Sequence, residues 1–225
     1  MRAARPRRRR LSPTERTRFE QIFRRFEAAT AHPATELDYK TPFTLLVAVV
    51  LSAQATDKSV NKATEKLFAV ADTPEAMLKL GEAGLTPYIA SIGLYRMKAR
   101  NVVALSRILV EQYGGEVPLE RAKLQALPGV GRKTASVVLN ELGVEPAIAV
   151  DTHVFRVAHR LKLSKGKTPE HVEHELMQVV PEWARSRAHH WLILHGRYTC
   201  VARRPKCAEC LVADLCPSRE LFLGA

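Results

Sequence analysis

The sequence lacks any apolar run of the roughly 18 residues that a membrane-spanning helix needs. Its basic start is not followed by an apolar segment, so we expect no secretory signal there. Strand-like alternation of apolar and polar residues is nearly absent, whereas apolar residues recur at helical spacing along most of the chain. These absences predict an intracellular all-α protein and exclude membrane and secreted classes.

Cysteine is absent until residue 200, and all four cysteines then follow in the pattern Cys200-x6-Cys207-x2-Cys210-x5-Cys216. A disulfide scaffold for the whole chain would not be confined to its last segment. Four thiolates this close together can surround one zinc ion or one iron–sulfur cluster. Zinc sites of this kind usually contain two C-x-x-C pairs. The single pair here favours a [4Fe–4S] cluster, with zinc as the alternative.

The charge balance is strongly basic, with a formal net charge of +12, which points to a polyanionic partner. Six of the 35 Lys and Arg residues lie in the first ten positions, so residues 1–11 are predicted to form a disordered basic arm. The loop between the first two cysteines carries Arg203 and Arg204, which suit a DNA phosphate contact or a solvated basic loop about equally.

A glycine-containing loop, Leu127-Pro-Gly-Val-Gly, precedes a predicted helix that begins at Arg132. Gly129 and Gly131 leave the backbone bare, so N–H groups at the helix start can approach an anion. Lys133 lies in the first turn, where the helix dipole and Arg132 favour a neutral, nucleophilic amine. A phosphate-binding lysine is the alternative. A nucleotide-triphosphate loop is excluded because it requires glycine directly before the lysine.

A second candidate site residue is Asp151, which follows the short apolar run 147–150 and precedes a predicted helix. Asp at such a position is most often a helix N-cap. Two helix starts would nevertheless present the Lys133 amine and this carboxylate to one cleft, although sequence separation alone does not show that they meet.

Two further positions carry side chains unusual for their context. Gln54 follows a buried helix predicted from Phe43 to Leu51, and polar residues there often face a cleft. Leu94 follows a glycine in a turn, where it can act as an exposed wedge or pack into the core.

Other signals concern the fold. Ser12-Pro-Thr-Glu15 predicts a capping box at a helix start. Thr86-Pro87 predicts a turn. We interpret the histidines of the segment 181–198 as core or surface residues, since no carboxylate or cysteine lies among them at ligand spacing.

With these motifs in view, the sequence resembles the endonuclease III family of helix-hairpin-helix DNA glycosylase/AP lyases. The similarity covers about residues 15 to 217. It is carried by the segments 51–57, 92–95, 127–139, 148–153 and 189–198, and by the cysteine pattern.

The resemblance implies a two-lobed all-α fold with a DNA cleft. A six-helix barrel lobe with the helix-hairpin-helix would comprise residues 35–145. A cluster lobe would combine residues 12–34 with 146–225. The protein would be a monomer that removes oxidised pyrimidines from duplex DNA and cuts the strand by β-elimination.

The resemblance also implies roles for individual residues. Lys133 matches the Schiff-base nucleophile and Asp151 the catalytic carboxylate. Gln54 and Leu94 would fill the gap left by an everted nucleotide. Gly129, Gly131, His153, Arg203 and Arg204 would contact DNA. The four cysteines would bind a [4Fe–4S] cluster, which decides against zinc.

Two alternatives belong to other functional classes. Monofunctional glycosylases such as the adenine-mismatch enzymes share the hairpin and cluster, but they lack the catalytic lysine and carry a further C-terminal domain. The chain ends nine residues after Cys216, and Lys133 is present. A non-enzymatic helix-hairpin-helix module would explain the basic charge but not the pairing of Lys133 with Asp151.

Overall fold

The computed structural model describes residues 10–222, and within this range the chain is helical without any β-strand. The predicted all-α class is therefore confirmed. Most of the predicted basic arm, residues 1–9, lies outside the described residues. None of the helices within residues 10–222 combines the length and the apolar character that crossing a membrane requires.

The α-helices of this range are α1 (Pro13–Ala29), α2 (Pro42–Leu51), α3 (Asp57–Phe68), α4 (Pro74–Ile89), α5 (Tyr95–Tyr113), α6 (Arg121–Gln125), α7 (Arg132–Glu141), α8 (Thr152–Arg160), α9 (Pro169–Val179) and α10 (Arg185–Tyr198). Short 3-10 helices span Glu182–Ala184, Cys207–Glu209, Ala213–Leu215 and Arg219–Leu221.

Helix starts are defined locally by capping residues followed by proline. At α1, the Glu15 N–H donates to Ser12 Oγ (3.2 Å) and the Ser12 N–H donates to Glu15 Oε2 (3.0 Å), which confirms the predicted capping box. At α2, α4 and α9 a threonine N-cap before the proline accepts from a backbone N–H of the first turn, and at α2 Thr44 completes a second capping box. Proline is suited to this first position because its missing N–H would have no helical partner there.

The turn predicted at Thr86-Pro87 is wrong, because α4 continues through it to Ile89. The interruption comes earlier, at Gly81, whose φ of 65° is left-handed and kinks the helix. Pro87 lacks one N–H and so removes a single hydrogen bond from the short helical segment that follows the kink. This loss does not end the helix, which continues to Ile89.

The chain divides into two compact units. The middle unit is Thr35–Glu145, and the terminal unit joins the chain up to Ala34 with the chain from Pro146 onward. In the middle unit, α2 is buried on all sides from Phe43 to Leu51 and packs against α3, α5 and α7. This apolar helix positions the segment that carries Gln54 at its end.

The terminal unit has its own apolar core, built by one face of α1 and by α8, α9 and α10. Phe23 of α1 is fully buried and its ring lies 6.3 Å from that of Trp191 in α10. Gly196 allows α10 to approach α8 closely, since a Cβ there would lie 2.9 Å from the Cβ of His153. The start of α8, with Asp151, is thereby held against α10.

Candidate active site and cysteine cluster

The glycine loop of the middle unit forms a hairpin between α6 and α7. Buried Leu127 and Val130 anchor it, and the Val130 N–H donates to the Leu127 carbonyl (3.1 Å). Lys133, the second residue of α7, is exposed. The hairpin therefore fixes the backbone while its lysine side chain extends into solvent.

The fold requires glycine at one of the two hairpin positions and not at the other. Gly129 has a φ of 78°, and a Cβ there would lie 3.0 to 3.3 Å from the side chain of Asn101. Gly131 has an ordinary φ of −83°, and a Cβ on it would meet no atom within 4 Å. The chain's own packing thus requires glycine at 129, whereas at 131 it leaves open space that an external group can occupy.

The start of α7 carries positive charge that favours an anion. Its N-cap is Gly131, which makes no side-chain capping bond, and its first turn holds no acidic residue. The first N–H groups of a helix have no helical partners and carry the positive end of the dipole. Arg132 and Lys133 add two further cations. A phosphate is the group this arrangement suits.

Asp151 is the N-cap of α8 in the terminal unit, and its Oδ1 accepts from the Val154 N–H (2.8 Å). The carboxylate is half-buried. Its second oxygen accepts no hydrogen bond from the part of the chain that the structure describes. Capping therefore accounts for one oxygen of Asp151 and not for the other.

His153 follows in the first turn of α8 and is oriented by Arg156. The Arg156 Nη2 lies 3.2 Å from His153 Nδ1, and because arginine only donates, Nδ1 is the acceptor in this pair. Arg156 also donates to the carbonyls of Gly196 (2.7 Å) and Cys200 (3.0 Å). One guanidinium thus links a predicted DNA contact to the cysteine segment.

Gln54 and Leu94, in the middle unit, both occupy the left-handed region, with φ values of 55° and 60°. Both side chains are exposed, Leu94 by 54%. Their loops are neighbours, since a Cβ on Gly93 would lie 3.9 Å from the Gln54 carbonyl oxygen. The core alternative for Leu94 is wrong, and the structure brings these two predicted residues together.

The four cysteines, Cys200, Cys207, Cys210 and Cys216, are half-buried and unpaired by disulfides, and all of them line one cavity in the terminal unit. Within residues 10–222, no three His, Cys, Asp or Glu side chains converge closely enough to hold a single metal ion. Four thiols that line one cavity are a donor set that an iron–sulfur cluster can use.

Two helical side chains contact the cysteine sulfurs. Arg160 Nη1 lies 3.4 Å from Cys200 Sγ, and His195 Nε2 lies 3.7 Å from Cys210 Sγ. Burial lowers the pKa of His195 to about 4, so its imidazole is neutral at physiological pH. Burial also raises the pKa of the Cys210 and Cys216 thiols, so their thiolate forms need a cationic partner.

The basic loop between Cys200 and Cys207 is held in place from both sides. Arg160 donates to the carbonyls of Val201 (2.7 Å) and Ala202 (2.9 Å), and the Lys206 N–H donates to the Thr199 carbonyl (3.0 Å). Arg203 and Arg204 are exposed at its tip, Arg204 with a left-handed φ of 49°. The loop thus presents two cations on an ordered backbone.

Comparisons with known proteins agree with this geometry. Residues 47–182 match the model of the HhH-GPD superfamily of base excision DNA repair proteins, and residues 200–216 match the iron–sulfur binding domain of endonuclease III. Endonuclease III of Escherichia coli K12 is 57% identical over 200 residues, covering 89% of this chain and 95% of that relative. The chain belongs to the endonuclease III family.

Two further relatives support the assignment. Endonuclease III of Haemophilus influenzae is 55% identical over 205 residues, covering 91% of this chain and 97% of that protein. A solved structure, described as a trapped endonuclease III–DNA covalent intermediate in an estranged-adenine complex, superposes with a TM-score of 0.85 at 41% identity. That match covers 94% of this chain and 99% of the solved one.

The family confirms the predicted helix-hairpin-helix fold, the enzyme class of DNA glycosylase and AP lyase, and the [4Fe–4S] cofactor. The chemistry of the donor set fits this cofactor, because four thiols line one cavity and the Arg160 guanidinium donates to one of their sulfurs. The roles of individual residues stay predictions.

Sequence reasoning missed the two arginines and the histidine that contact the cysteine segment. Arg156 and Arg160 are four residues apart, which places them on one helix face but does not show which carbonyls they bind. His195 is buried as a core histidine, in agreement with the interpretation from sequence, and its contact with Cys210 depends on how α10 packs.

The contrast between the two hairpin glycines gives a matched pair of variants. We expect Gly131→Ala to keep the wild-type melting temperature, because its Cβ enters open space, and to bind duplex DNA about tenfold more weakly, the loss expected for a charge-assisted hydrogen bond. Gly129→Ala should lose both stability and binding, because its φ is left-handed and Asn101 is in the way. Thermal denaturation and fluorescence anisotropy measure the two effects. Wild-type binding by Gly131→Ala would contradict a phosphate contact there.

Proposed function

We propose that this chain releases oxidised pyrimidines from duplex DNA through Lys133 as the amine nucleophile and then cuts the strand as an AP lyase. The observation that carries the proposal is the exposed Lys133 amine in the first turn of α7, a helix that follows the hairpin and has no side-chain cap. The covalent DNA intermediate named for the solved endonuclease III supports an attacking group of this kind in the family.

The proposed reaction begins when Lys133 Nζ attacks C1′ of the damaged nucleotide. The bond from C1′ to the base breaks, and the base leaves with the electron pair and takes up a proton. Opening of the C1′–O4′ bond then gives a Schiff base between Nζ and C1′. The 2′ proton is lost, the C3′–O3′ bond breaks with its electron pair on the phosphate, and water finally releases the sugar fragment from the lysine.

Asp151 assists this reaction through its carboxylate. A carboxylate accepts a proton from the lysine ammonium, which frees the amine lone pair for attack, and it stabilises positive charge that develops on the sugar. Its capping bond to Val154 fixes the carboxylate at the start of α8, so little reorientation is needed during the reaction. Lys133 and Asp151 belong to different units of the chain, and the proposal is that both act on the same nucleotide.

The damaged nucleotide must leave the base stack before Lys133 can reach C1′, at a cost of a few kcal/mol. Gln54 and Leu94 would offset this cost by occupying the space that the nucleotide leaves. Exposed side chains on strained, adjacent loops suit this task, because strain at non-glycine residues is typically kept where function requires it.

The remaining predicted residues would position the duplex without reading its sequence. Gly129 and Gly131 would bind a phosphate through backbone N–H groups, and His153, Arg203 and Arg204 would contact the backbone elsewhere. When bound, the cluster would be held by the four cysteines and would keep the Arg203 loop ordered. A monomer acting on cellular DNA works inside the cell, and association with the nucleoid is part of this proposal.

Replacing Lys133 by Gln should abolish covalent trapping and base release while binding to the lesion remains within about threefold of wild type, since only the nucleophile is removed. The assay is borohydride reduction on a duplex with one thymine glycol. Lys79→Gln, an exposed lysine on α4, is the matched control and should trap normally. Base release by wild type without an adduct would instead indicate water as the nucleophile, and equal loss of binding and catalysis would favour a binding module.

Asp151→Asn isolates the charge of this residue from its capping function. Asparagine caps helices as well as aspartate does, so we expect a melting temperature close to wild type. Base release in single-turnover kinetics should fall about 100-fold, as expected for removal of a positioned acid–base group. A comparable rate for this variant and wild type would show that Asp151 is a helix cap alone.

Leu94 offers a test that separates stability from activity. Leu94→Gly should be more stable than Leu94→Ala by about 1 kcal/mol, because only glycine relieves the left-handed strain. Both variants should release a paired lesion more slowly than wild type because they lack the wedge. Chemical denaturation and single-turnover excision are the measurements. Wild-type excision by both variants would exclude a wedge role for Leu94.

A further inference from the structure

Lys98 is a buried lysine that the proposed reaction does not use. It lies in the first turns of α5 and is only 2% exposed. Burial lowers its pKa, because desolvation disfavours the ammonium. Lysine is rarely buried without a partner, so the contacts of its ammonium indicate what it is there to hold.

The partner of Lys98 is the end of α2. Its Nζ donates to the Leu51 carbonyl oxygen at 2.9 Å. Leu51 is the last residue of α2, where carbonyls lack helical partners and the helix dipole favours a cation. The N–H that would continue the helix, that of Ala55, donates to Ser52 instead (3.0 Å). Lys98 thus completes the helix end from which the Gln54 segment departs.

The backbone of the same residue holds the other loop. The Lys98 N–H donates to the Leu94 carbonyl at 3.1 Å, the first helical hydrogen bond of α5. The N-cap of α5 is Leu94 itself, left-handed and without a side-chain capping bond. The Lys98 side chain therefore contacts the helix end that leads into the Gln54 loop, and the Lys98 backbone contacts Leu94.

We propose that Lys98 is a positioning residue that keeps Gln54 and Leu94 in register, so that both occupy the duplex when a nucleotide is everted. The inference rests on the proposed function, since it assigns Lys98 a part in the eversion step. Lys98 is not an alternative nucleophile, because its amine is buried and bound to a carbonyl. Its contribution is confined to opening the duplex and does not extend to the bond that breaks.

If Lys98 acts in eversion, the loss of rate in a Lys98 variant should depend on whether the lesion is base-paired. A general loss of protein stability would not produce that dependence. Lys98→Met keeps the length and apolar character of the side chain and removes only the donor. With a thymine glycol paired opposite adenine, we expect single-turnover base release to fall about tenfold, the effect of losing one charge-assisted hydrogen bond. With the same lesion opposite an abasic analogue, where little pairing opposes eversion, we expect the rate to stay within about twofold of wild type.

Thr64→Val is the matched control in the same unit. Thr64 is fully buried, and its hydroxyl donates to the Val60 carbonyl of its own helix (3.0 Å), so its loss removes a buried hydrogen bond that joins no loops. For this variant we expect any loss of rate relative to wild type to be the same on both substrates. Lys98→Gln, which retains a donor, provides a milder second variant should Lys98→Met fold poorly, and it should show the same substrate dependence with a smaller loss.

Eversion can also be followed without catalysis. In a Lys133→Gln background, 2-aminopurine next to the lesion should brighten on binding when Lys98 is present and brighten less with Lys98→Met. Equal losses on paired and unpaired lesions, or no loss on either, would overturn the role of Lys98 while wild-type trapping still supports the proposed function. Absence of a wild-type adduct would overturn the proposed function and this inference with it.

Discussion

An α-helix leaves backbone N–H groups at its start and carbonyls at its end without helical partners, and the proposed site of this protein is built on such ends. Lys133 lies in the first turn of α7 and Asp151 caps α8, while Leu94 is the N-cap of α5 and the Gln54 segment leaves the end of α2. The unpartnered groups are satisfied differently at each end. A carboxylate caps α8, a buried ammonium completes α2, and the start of α7 has no side-chain cap and suits an anion.

The apolar cores and the strained loops have complementary tasks. Helix α2 is buried on all sides, which fixes where its end lies, and Gln54 just beyond it adopts a conformation that a non-glycine residue rarely takes by itself. A left-handed leucine or glutamine costs of the order of 1 to 2 kcal/mol and persists only where the surroundings impose it. The hydrogen bond from Lys98 to Leu51 is part of those surroundings.

The cysteine segment depends on the helices around it as much as on its own spacing. Two arginines of α8 bind its backbone carbonyls, and a neutral, buried histidine of α10 faces one of its sulfurs. The four thiols surround a cavity, in keeping with the iron–sulfur domain of the endonuclease III family. The same guanidinium contacts order the loop that carries Arg203 and Arg204, so cofactor support and the proposed DNA contact share one set of hydrogen bonds.

The sequence by itself determined the features set by neighbouring residues. The capping box at Ser12 and the cysteine spacing are local, and hydrophobic periodicity was enough for the all-α class. The prediction of a turn at Thr86-Pro87 failed, because the loss of one N–H donor does not end α4 when the residues around it stay helical. Only the tertiary structure decided that Leu94 is exposed beside Gln54, that Gly131 faces open space, and that Lys98 reaches Leu51. Those facts join residues far apart in the chain, and packing, which local propensity does not encode, is what brings them together.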